Sequence, residues 1–280
     1  MSKIIRNMLF GGVDIVKITI DRIKNIIGKN EKVVLCFSGG KDSLVLYDIV
    51  KKCNINCDIN FHNTTIEFPE LYKYIKSFKD VNVINPCKSF FRLCIDKGIM
   101  PTRFIRFCCS GLKEVNYNNK IITGVRWAES YKRKNNRSVV EIHNNKKDII
   151  KLNDNELNRK YVEICSMKSQ VIINPIIDWT DDEVWEYIKM NKLNYCNLYN
   201  KGFKRLGCVG CVMVNIETRL KELSYCKFYE LYYKRIMEKI IEKKIMLGEK
   251  NKFKTINEYW KYWIYGICEN QKQEIYRLNM

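Results

Sequence analysis

The chain has 280 residues, of which 46% are hydrophobic and 29% are charged, and this composition excludes a disordered or fibrous protein. Its 50 lysines and arginines outnumber its 31 aspartates and glutamates, and the resulting formal net charge of +19 favours a polyanionic partner such as nucleic acid. The longest uncharged run, residues 206–216, is too short to cross a bilayer. Thirteen cysteines without a secretion signal favour reduced thiols, metal ligands or redox chemistry in the cytoplasm.

Residues 1–29 are predicted to form a leading element outside the core. From residue 31 onward, short apolar segments typical of strands alternate with segments of helical periodicity. The predicted strands are 33–37, 57–63, 81–85 and 120–126, and the predicted helices between and after them are 44–53, 68–78 and 88–98. This alternation predicts an α/β fold with a parallel twisted sheet wrapped by helices, with ligands at the carboxyl ends of the strands.

The first predicted strand runs into the hexapeptide Ser-Gly-Gly-Lys-Asp-Ser at residues 38–43. The two glycines permit a tight turn, and the helix that follows points its free N–H groups at whatever lies above them. The hydroxyls of Ser38 and Ser43 and the ammonium of Lys41 add further donors. The pattern predicts a phosphate-binding loop, and its spacing excludes the Walker type.

The second half of the chain is more basic than the first. Residues 131–160 carry nine lysines and arginines against four acids, with little apolar periodicity, and are predicted to form a basic flap or irregular hairpin. A helix is predicted over 180–190 with Thr180 as its N-cap. After Gly207 the chain is predicted to be helical, aromatic and basic. The predicted divisions are therefore 1–29, 30–200 and 201–280. The candidate contacts to nucleic acid in the flap are Lys132, Arg133, Lys134 and Arg137.

Two pairs of cysteines stand apart from the other nine. Cys108 and Cys109 are adjacent, and Cys208 and Cys211 form a Cys-x-x-Cys segment with neighbouring glycines. Together they offer four soft ligands, enough for a [4Fe–4S] cluster or for zinc. Unligated core thiols are the third interpretation of the same pattern.

Five segments resemble one known family in the expected order. The hexapeptide at 38–43 looks like the PP-loop of ATP pyrophosphatases, and specifically of the phosphoadenosine phosphosulfate (PAPS) reductase family. The segments that resemble later parts of that family are TTIEFPELYKYI (64–75), ITGVRWAES (122–130), NPIIDWTDDEVWEYI (174–188) and GCVGC (207–211). The paired cysteines are similar to the Cys-Cys…Cys-x-x-Cys pattern of the iron–sulfur members.

The resemblance implies an adenine nucleotide α-hydrolase-like fold, an ATP or sulfonucleotide substrate, Mg²⁺ and a [4Fe–4S] cluster. It implies a catalytic role for Lys41, Asp42 and Ser43, with Asp42 helping to hold Mg²⁺ or the loop. The residues expected to bind the nucleotide are Ser38, Gly39, Gly40, Lys41, Ser43, Gly124 and Arg126. Arg126 is expected to face a phosphate from a neighbouring strand end.

The resemblance fails at the C-terminal tail. Sulfonucleotide reductases carry a catalytic cysteine in a Glu-Cys-Gly-Leu-His-like tail, whereas here Cys268 is followed by Glu-Asn and no histidine occurs after His143. Three functions are therefore expected as alternatives. The first is an enzyme that adenylates an acceptor, such as tRNA or DNA, and moves sulfur to it from a donor protein. The second is a sulfonucleotide reductase with an atypical tail, and the third is a non-enzymatic nucleotide-binding iron–sulfur module.

Overall fold

The computed structural model describes residues 3–8, 11–28, 30–113, 117, 120–143, 149–154 and 170–266. The strands are β1 (Ile5–Met8), β2 (Gly11–Asp14), β3 (Val33–Cys36), β4 (Cys57–His62), β5 (Val81–Ile84), β6 (Ile121–Ile122), β7 (Val140–His143), β8 (Ile149–Leu152) and β9 (Gln170–Ile173). The α-helices are α1 (Ile15–Ile26), α2 (Lys41–Cys53), α3 (Pro69–Lys76), α4 (Phe90–Lys97), α5 (Phe107–Leu112), α6 (Tyr131–Asn136), α7 (Asp181–Met190), α8 (Ile216–Tyr225), α9 (Phe228–Met246) and α10 (Ile256–Tyr265).

Seven strands form one sheet in the order β5-β4-β3-β6-β9-β7-β8. The first five run parallel, and only β7 and β8 are antiparallel to their neighbours. The predicted parallel sheet with helices between its strands is therefore confirmed. Parallel strands present their carboxyl ends at one edge, so the segments that follow β3 and β6 lie on the same side of the sheet.

For the segment predicted as a basic flap or irregular hairpin, the described residues contain a hairpin, and the flap alternative is wrong. Within its described residues, 131–136 are the helix α6, while β7 and β8 form a hairpin that extends the sheet. Val140 and Ile142 are fully buried, because β7 pairs with β9 and its apolar side chains enter the core. The remaining flap residues, 144–148 and 155–160, lie outside the described part of the chain.

The prediction that residues 1–29 lie outside the core is also wrong. Asp14 caps α1 by accepting hydrogen bonds from the backbone N–H groups of Val16 and Lys17. The apolar face of α1 is buried, with Ile23 and Ile26 fully inaccessible to solvent. This helix is therefore part of the core around the sheet.

The chain divides into two compact units that interleave along the sequence. The first unit, which contains the sheet, comprises Met1–His62, Glu70–Ile84 and Asn116–Leu206, and the second comprises Asn63–Pro69, Asn85–Val115 and Gly207–Met280. The predicted division after residue 200 lies close to the break at Leu206. The predicted divisions are continuous in sequence, so they did not assign residues 63–69 and 85–115 to the unit that contains the C-terminal helices.

The second unit is built around aromatic side chains of α9. Tyr229 and Tyr233 are buried, and their hydroxyls donate to the carbonyl oxygens of Glu67 and Val209, each at 2.6 Å. The Tyr233 ring also packs against Trp263, with ring centroids 5.1 Å apart. These tyrosines are therefore core residues of the second unit. No helix in the described part of the chain is both long and apolar enough to cross a membrane.

Candidate functional site

The loop between β3 and α2 has the tight geometry that its glycines predict. Gly39 has φ +72°, a conformation that side-chain-bearing residues rarely adopt. A Cβ atom at Gly39 would lie 2.8 Å from Leu71 Cδ1 and 2.9 Å from Ile75 Cγ1, so the apolar face of α3 leaves no room for one. Gly40 then serves as the N-cap of α2 without a side chain to cap the helix.

The two loop serines hold the shape of the loop. Ser43 Oγ donates to the Gly40 carbonyl at 2.9 Å and accepts from the Ser38 backbone N–H at 3.2 Å. The Ser38 and Ser43 hydroxyl oxygens lie 3.1 Å apart. These bonds close the loop on itself, so its donors are already arranged before any ligand enters.

Lys41 differs from its predicted setting. The sequence places it in a loop before a helix that starts at residue 44, whereas the residue is 8% exposed and begins α2. Its ammonium lies 2.9 Å from Asp181 Oδ1 and 3.3 Å from Asp42 Oδ1. The Lys41 charge is thus balanced by two carboxylates at the mouth of the loop.

Arg126 follows the end of β6, as the sequence predicts, and its side chain contacts the first turn of α2. Its side chain is fully buried, and its guanidinium donates to Asp42 Oδ1 at 2.6 Å, to the Trp179 carbonyl at 2.9 Å and to Asp181 Oδ1 at 2.5 Å. Arg126 joins the two carboxylates, and its predicted contact with a phosphate remains a prediction. It therefore acts as a brace for the loop.

Gly124 packs against the backbone of Asp42 and Ser43 in the first turn of α2. A Cβ atom at Gly124 would lie 3.2 Å from the backbone carbon of Asp42 and from the backbone nitrogen of Ser43. The absence of a side chain at Gly124 lets this segment approach the first turn of α2. Its predicted contact with the nucleotide remains a prediction.

Asp181 was not predicted as a site residue. Burial alone would raise the pKa of Asp181, but the hydrogen bonds from Lys41 and Arg126 outweigh it and hold the pKa below the usual range. Thr180 caps α7 in a capping box with Glu183, as the sequence predicts for Thr180, and this cap places Asp181 in the first helical turn. The capping box was the one local signal that could have drawn attention to Asp181.

Tyr199 is the second residue that the sequence did not reveal. Its hydroxyl accepts a hydrogen bond from the backbone N–H of Lys41 at 2.8 Å. No local pattern links Tyr199 to a loop that lies 158 residues earlier. Only the folded chain brings them together.

The four selected cysteines all belong to the second unit. Cys108 and Cys109 lie in α5, whereas Cys208 and Cys211 lie in the segment before α8, and each of the four is half-buried. A hydrogen bond with Cys109, burial, and the nearby thiols of Cys208 and Cys211 together raise the pKa of Cys108. The other three thiols are therefore close enough to Cys108 to interact with it electrostatically.

These thiols do not form a closed metal site as they stand. Among the described residues, no group of three or more histidine, cysteine, aspartate or glutamate side chains is close enough to hold a metal ion. The donor chemistry nevertheless fits a thiolate-bound centre, since the second unit contains no histidine and its four neighbouring donors are all sulfur. Lys113 adds a positive charge beside the thiols, and the charge of Cys208 raises the pKa of Lys113.

Several of the other cysteines lie in the core. Cys53, Cys94, Cys196 and Cys226 are buried, and burial raises the pKa of Cys36 to about 11. Small apolar packing explains these thiols without a ligand role. Cys268 lies outside the described residues.

The four residues predicted to contact nucleic acid differ in exposure and in ion pairing. Lys132 and Lys134 are exposed on α6. Arg133 forms an ion pair with Glu129, and Arg137 donates to Glu141 Oε1 at 2.7 Å. Burial and the charges of Arg137 and Arg205 lower the pKa of Arg133. The two lysines are therefore the more available of the four cations.

Residues 32–214 match the phosphoadenosine phosphosulfate reductase domain family. An uncharacterized protein of Methanocaldococcus jannaschii is 33% identical over 70% of this chain and 45% of its own length. An adenosine 5'-phosphosulfate reductase of Oceanobacillus iheyensis is 25% identical over 64% of this chain and 70% of its own length. The chain spans less than half the length of the Methanocaldococcus relatives that it matches.

One solved structure with a similar chain is a PAPS reductase from Candida auris, with a TM-score of 0.45 and 17% sequence identity over 70% of this chain and 88% of that one. The family match covers about two thirds of the residues, and it includes the PP-loop, the Gly124–Arg126 segment and all four selected cysteines. The chain is therefore a PP-loop protein that belongs to the phosphoadenosine phosphosulfate reductase domain family.

Proposed function

We propose that the chain is an enzyme that adenylates an acceptor, a nucleic acid, with ATP and then transfers sulfur to it. The observation that carries the proposal is the loop at 38–43, whose shape is held by hydrogen bonds among Ser38, Gly40 and Ser43 and which leads into the N-terminus of α2. Preorganised donors of this kind stabilise the charge that develops on a leaving group.

The reaction would proceed at the α-phosphate of ATP. An oxygen of the acceptor attacks this phosphorus, the bond to the bridging oxygen breaks, and pyrophosphate leaves. The backbone N–H groups of Gly39 and Gly40, the Ser38 hydroxyl and the Lys41 ammonium would stabilise the growing negative charge. Each such donor typically contributes about 3–4 kcal/mol to a transition state of this kind. To reach a phosphate, Lys41 exchanges its contact with Asp181 for one with the nucleotide.

The acidic residues at the loop suit a divalent cation. Asp42 and Asp181 both bond to Arg126, which holds the two carboxylates at the mouth of the loop. Carboxylate oxygens together with phosphate oxygens are the usual ligands of Mg²⁺. Asp42 and Asp181 would hold that ion, while Arg126 keeps Asp42 in position.

The sulfur-transfer step would depend on the second unit. Cys108, Cys109, Cys208 and Cys211 would hold a [4Fe–4S] cluster, which when bound would carry the sulfur supplied by a donor protein. Sulfide-level sulfur supplied there would replace the adenylated oxygen of the acceptor, so that a carbon–sulfur bond would form as the carbon–oxygen bond breaks and AMP leaves with that oxygen. Lys113 would keep anionic thiolates stable in this region. The cytoplasmic location expected for such reduced thiols is part of the same proposal.

The nucleic-acid acceptor is supported by charge. The net charge of +19 is far from zero, and Lys132 and Lys134 project from α6 in the unit that carries the loop.

A second candidate function is sulfonucleotide reduction, which is favoured by the 25% identity with an adenosine 5'-phosphosulfate reductase. In that reaction the same loop would hold the nucleotide phosphate, and no pyrophosphate would leave.

Anaerobic purification tests the cluster and the acceptor together. We expect brown protein with about four irons and four acid-labile sulfides per chain, and with nucleic acid that dissociates as salt is raised. The matched control is Cys94→Ser, because Cys94 is a buried cysteine of the same unit outside the selected four. Cys208→Ser should lose iron, whereas Cys94→Ser should retain it. A colourless protein with one zinc ion and no nucleic acid would contradict the proposal.

A further inference from the structure

The first backbone N–H of α2 already has a partner. A helix leaves its first four N–H groups without partners inside the helix, and these are the groups that a phosphate would use. Gly40 has no side chain with which to cap them. The Lys41 N–H instead donates to the hydroxyl oxygen of Tyr199 at 2.8 Å. The Tyr199 hydroxyl therefore lies at the helix N-terminus, where a phosphate would bind.

The Tyr199 ring is held firmly in place. It ends a short 3-10 helix, Asn197–Tyr199, in which Leu198 is fully buried. The ring of Trp185 meets it edge-on, with centroids 5.1 Å apart and planes at 89°. The hydroxyl also stands directly over the loop, since a Cβ atom built on Gly40 would lie 3.5 Å from it.

The hydroxyl has one bonding capacity left. A tyrosine hydroxyl can accept a hydrogen bond and can also donate its own proton. Tyr199 accepts from Lys41, while no described residue accepts the Tyr199 proton. Burial raises the pKa of Tyr199, and the neighbouring Asp42 raises it further, so the group keeps its proton at neutral pH. An anion that enters the loop finds this proton beside the Gly40 and Lys41 backbone.

We propose that Tyr199 is a phosphate-binding residue of the nucleotide site, which accepts from the Lys41 N–H and donates to a phosphate oxygen. This inference rests on the proposed nucleotide-binding function. The other proposed phosphate donors belong to the loop itself, whereas Tyr199 lies 158 residues after Lys41. A bound phosphate would therefore link the loop to the 3-10 helix Asn197–Tyr199.

The contact between Tyr199 and Lys41 could also oppose phosphate binding, and the test must distinguish the two effects. If the hydroxyl only occupies the position of the phosphate at the helix N-terminus, an entering phosphate has to displace it. Removal of the hydroxyl would then strengthen binding. If the hydroxyl is a ligand, its removal weakens binding. The sign of the change therefore decides between the two.

The test compares Tyr199→Phe with Tyr195→Phe by isothermal titration calorimetry. Tyr195 is the matched control, because its ring also packs against Trp185 while its hydroxyl bonds to Asn200 at 3.0 Å, away from the loop. The probes are ATP with Mg²⁺, inorganic pyrophosphate and adenosine. Thermal unfolding of each variant is measured in parallel, so that an unfolded variant is recognised.

We expect Tyr199→Phe to weaken ATP and pyrophosphate binding by about tenfold or more and to leave adenosine binding unchanged, since a hydrogen bond to a charged group is lost. Tyr195→Phe should bind all three probes like the wild type. Unchanged or tighter pyrophosphate binding by Tyr199→Phe overturns the inference, as does an equal loss for adenosine. If the wild type binds neither ATP nor pyrophosphate, the proposed function fails instead.

Discussion

Replacement of Arg126 by methionine removes the brace between the loop and α7. The change eliminates the hydrogen bonds to Asp42, to the Trp179 carbonyl and to Asp181, while an unbranched apolar side chain replaces the aliphatic part of the arginine in the core. Loss of one partner from a buried ion pair costs about 3–5 kcal/mol. The side chain of Asp181 is 65% exposed and can be solvated, so the lower end of that range applies. We expect the free energy of unfolding to fall by about 3 kcal/mol.

Urea unfolding followed by tryptophan fluorescence and circular dichroism measures this loss. The control is Arg133→Met, the same substitution at an arginine whose pair with Glu129 is 41% and 30% exposed. An ion pair this exposed contributes only about 0–1 kcal/mol, and its loss should shift the midpoint little. If Arg126→Met cost less than the Arg133 control, the guanidinium would not be a brace, and its burial would need another explanation.

Lys41→Met should abolish pyrophosphate release from ATP with the circular dichroism spectrum retained, and normal turnover would exclude Lys41 from the phosphate site. Alanine at both Lys132 and Lys134 should reduce the slope of log affinity for single-stranded RNA against log salt by about 1.4, at roughly 0.7 per phosphate contact; an unchanged slope would remove α6 from the interface. Burial would raise the pKa of Asp178, but its bonds to Arg22 and a second arginine hold that pKa below the usual range. Its contribution to stability is therefore present at neutral pH and disappears as the pH falls below about 4. Asp178→Asn should lose less stability than the wild type between about pH 6 and pH 3 in urea titrations, and parallel pH profiles would contradict this.

The local features of the loop could be predicted from the sequence. The apolar strand residues, the glycines at 39 and 40 and the helix after them each act through near neighbours, as does the Thr180 cap. The helix begins at Lys41, three residues before the predicted start, because Gly40 already serves as its N-cap. Local rules of backbone conformation and capping are enough for these features.

The charged contacts of the site could not be predicted in the same way. Arg126 at a strand end was expected to meet a phosphate, and its pairing with Asp42, 84 residues earlier, depends on how the strands are ordered in the sheet. The contact of Tyr199 with Lys41 depends on the same long-range arrangement. An irregular hairpin was one prediction for residues 131–160, but the burial of β7 and its pairing with β9 could not be predicted, because this basic segment shows little apolar periodicity.

The central claim is that this loop supports the release of pyrophosphate from ATP. Its most direct test is anaerobic incubation of the wild-type protein with α-labelled ATP, Mg²⁺, sulfide and total tRNA, in parallel with adenosine 5'-phosphosulfate and a thiol reductant. Product analysis should show AMP and pyrophosphate in equal amounts from ATP, dependent on tRNA, with no sulfite from the sulfonucleotide. Sulfite release without pyrophosphate would contradict the account and would identify the protein as a sulfonucleotide reductase.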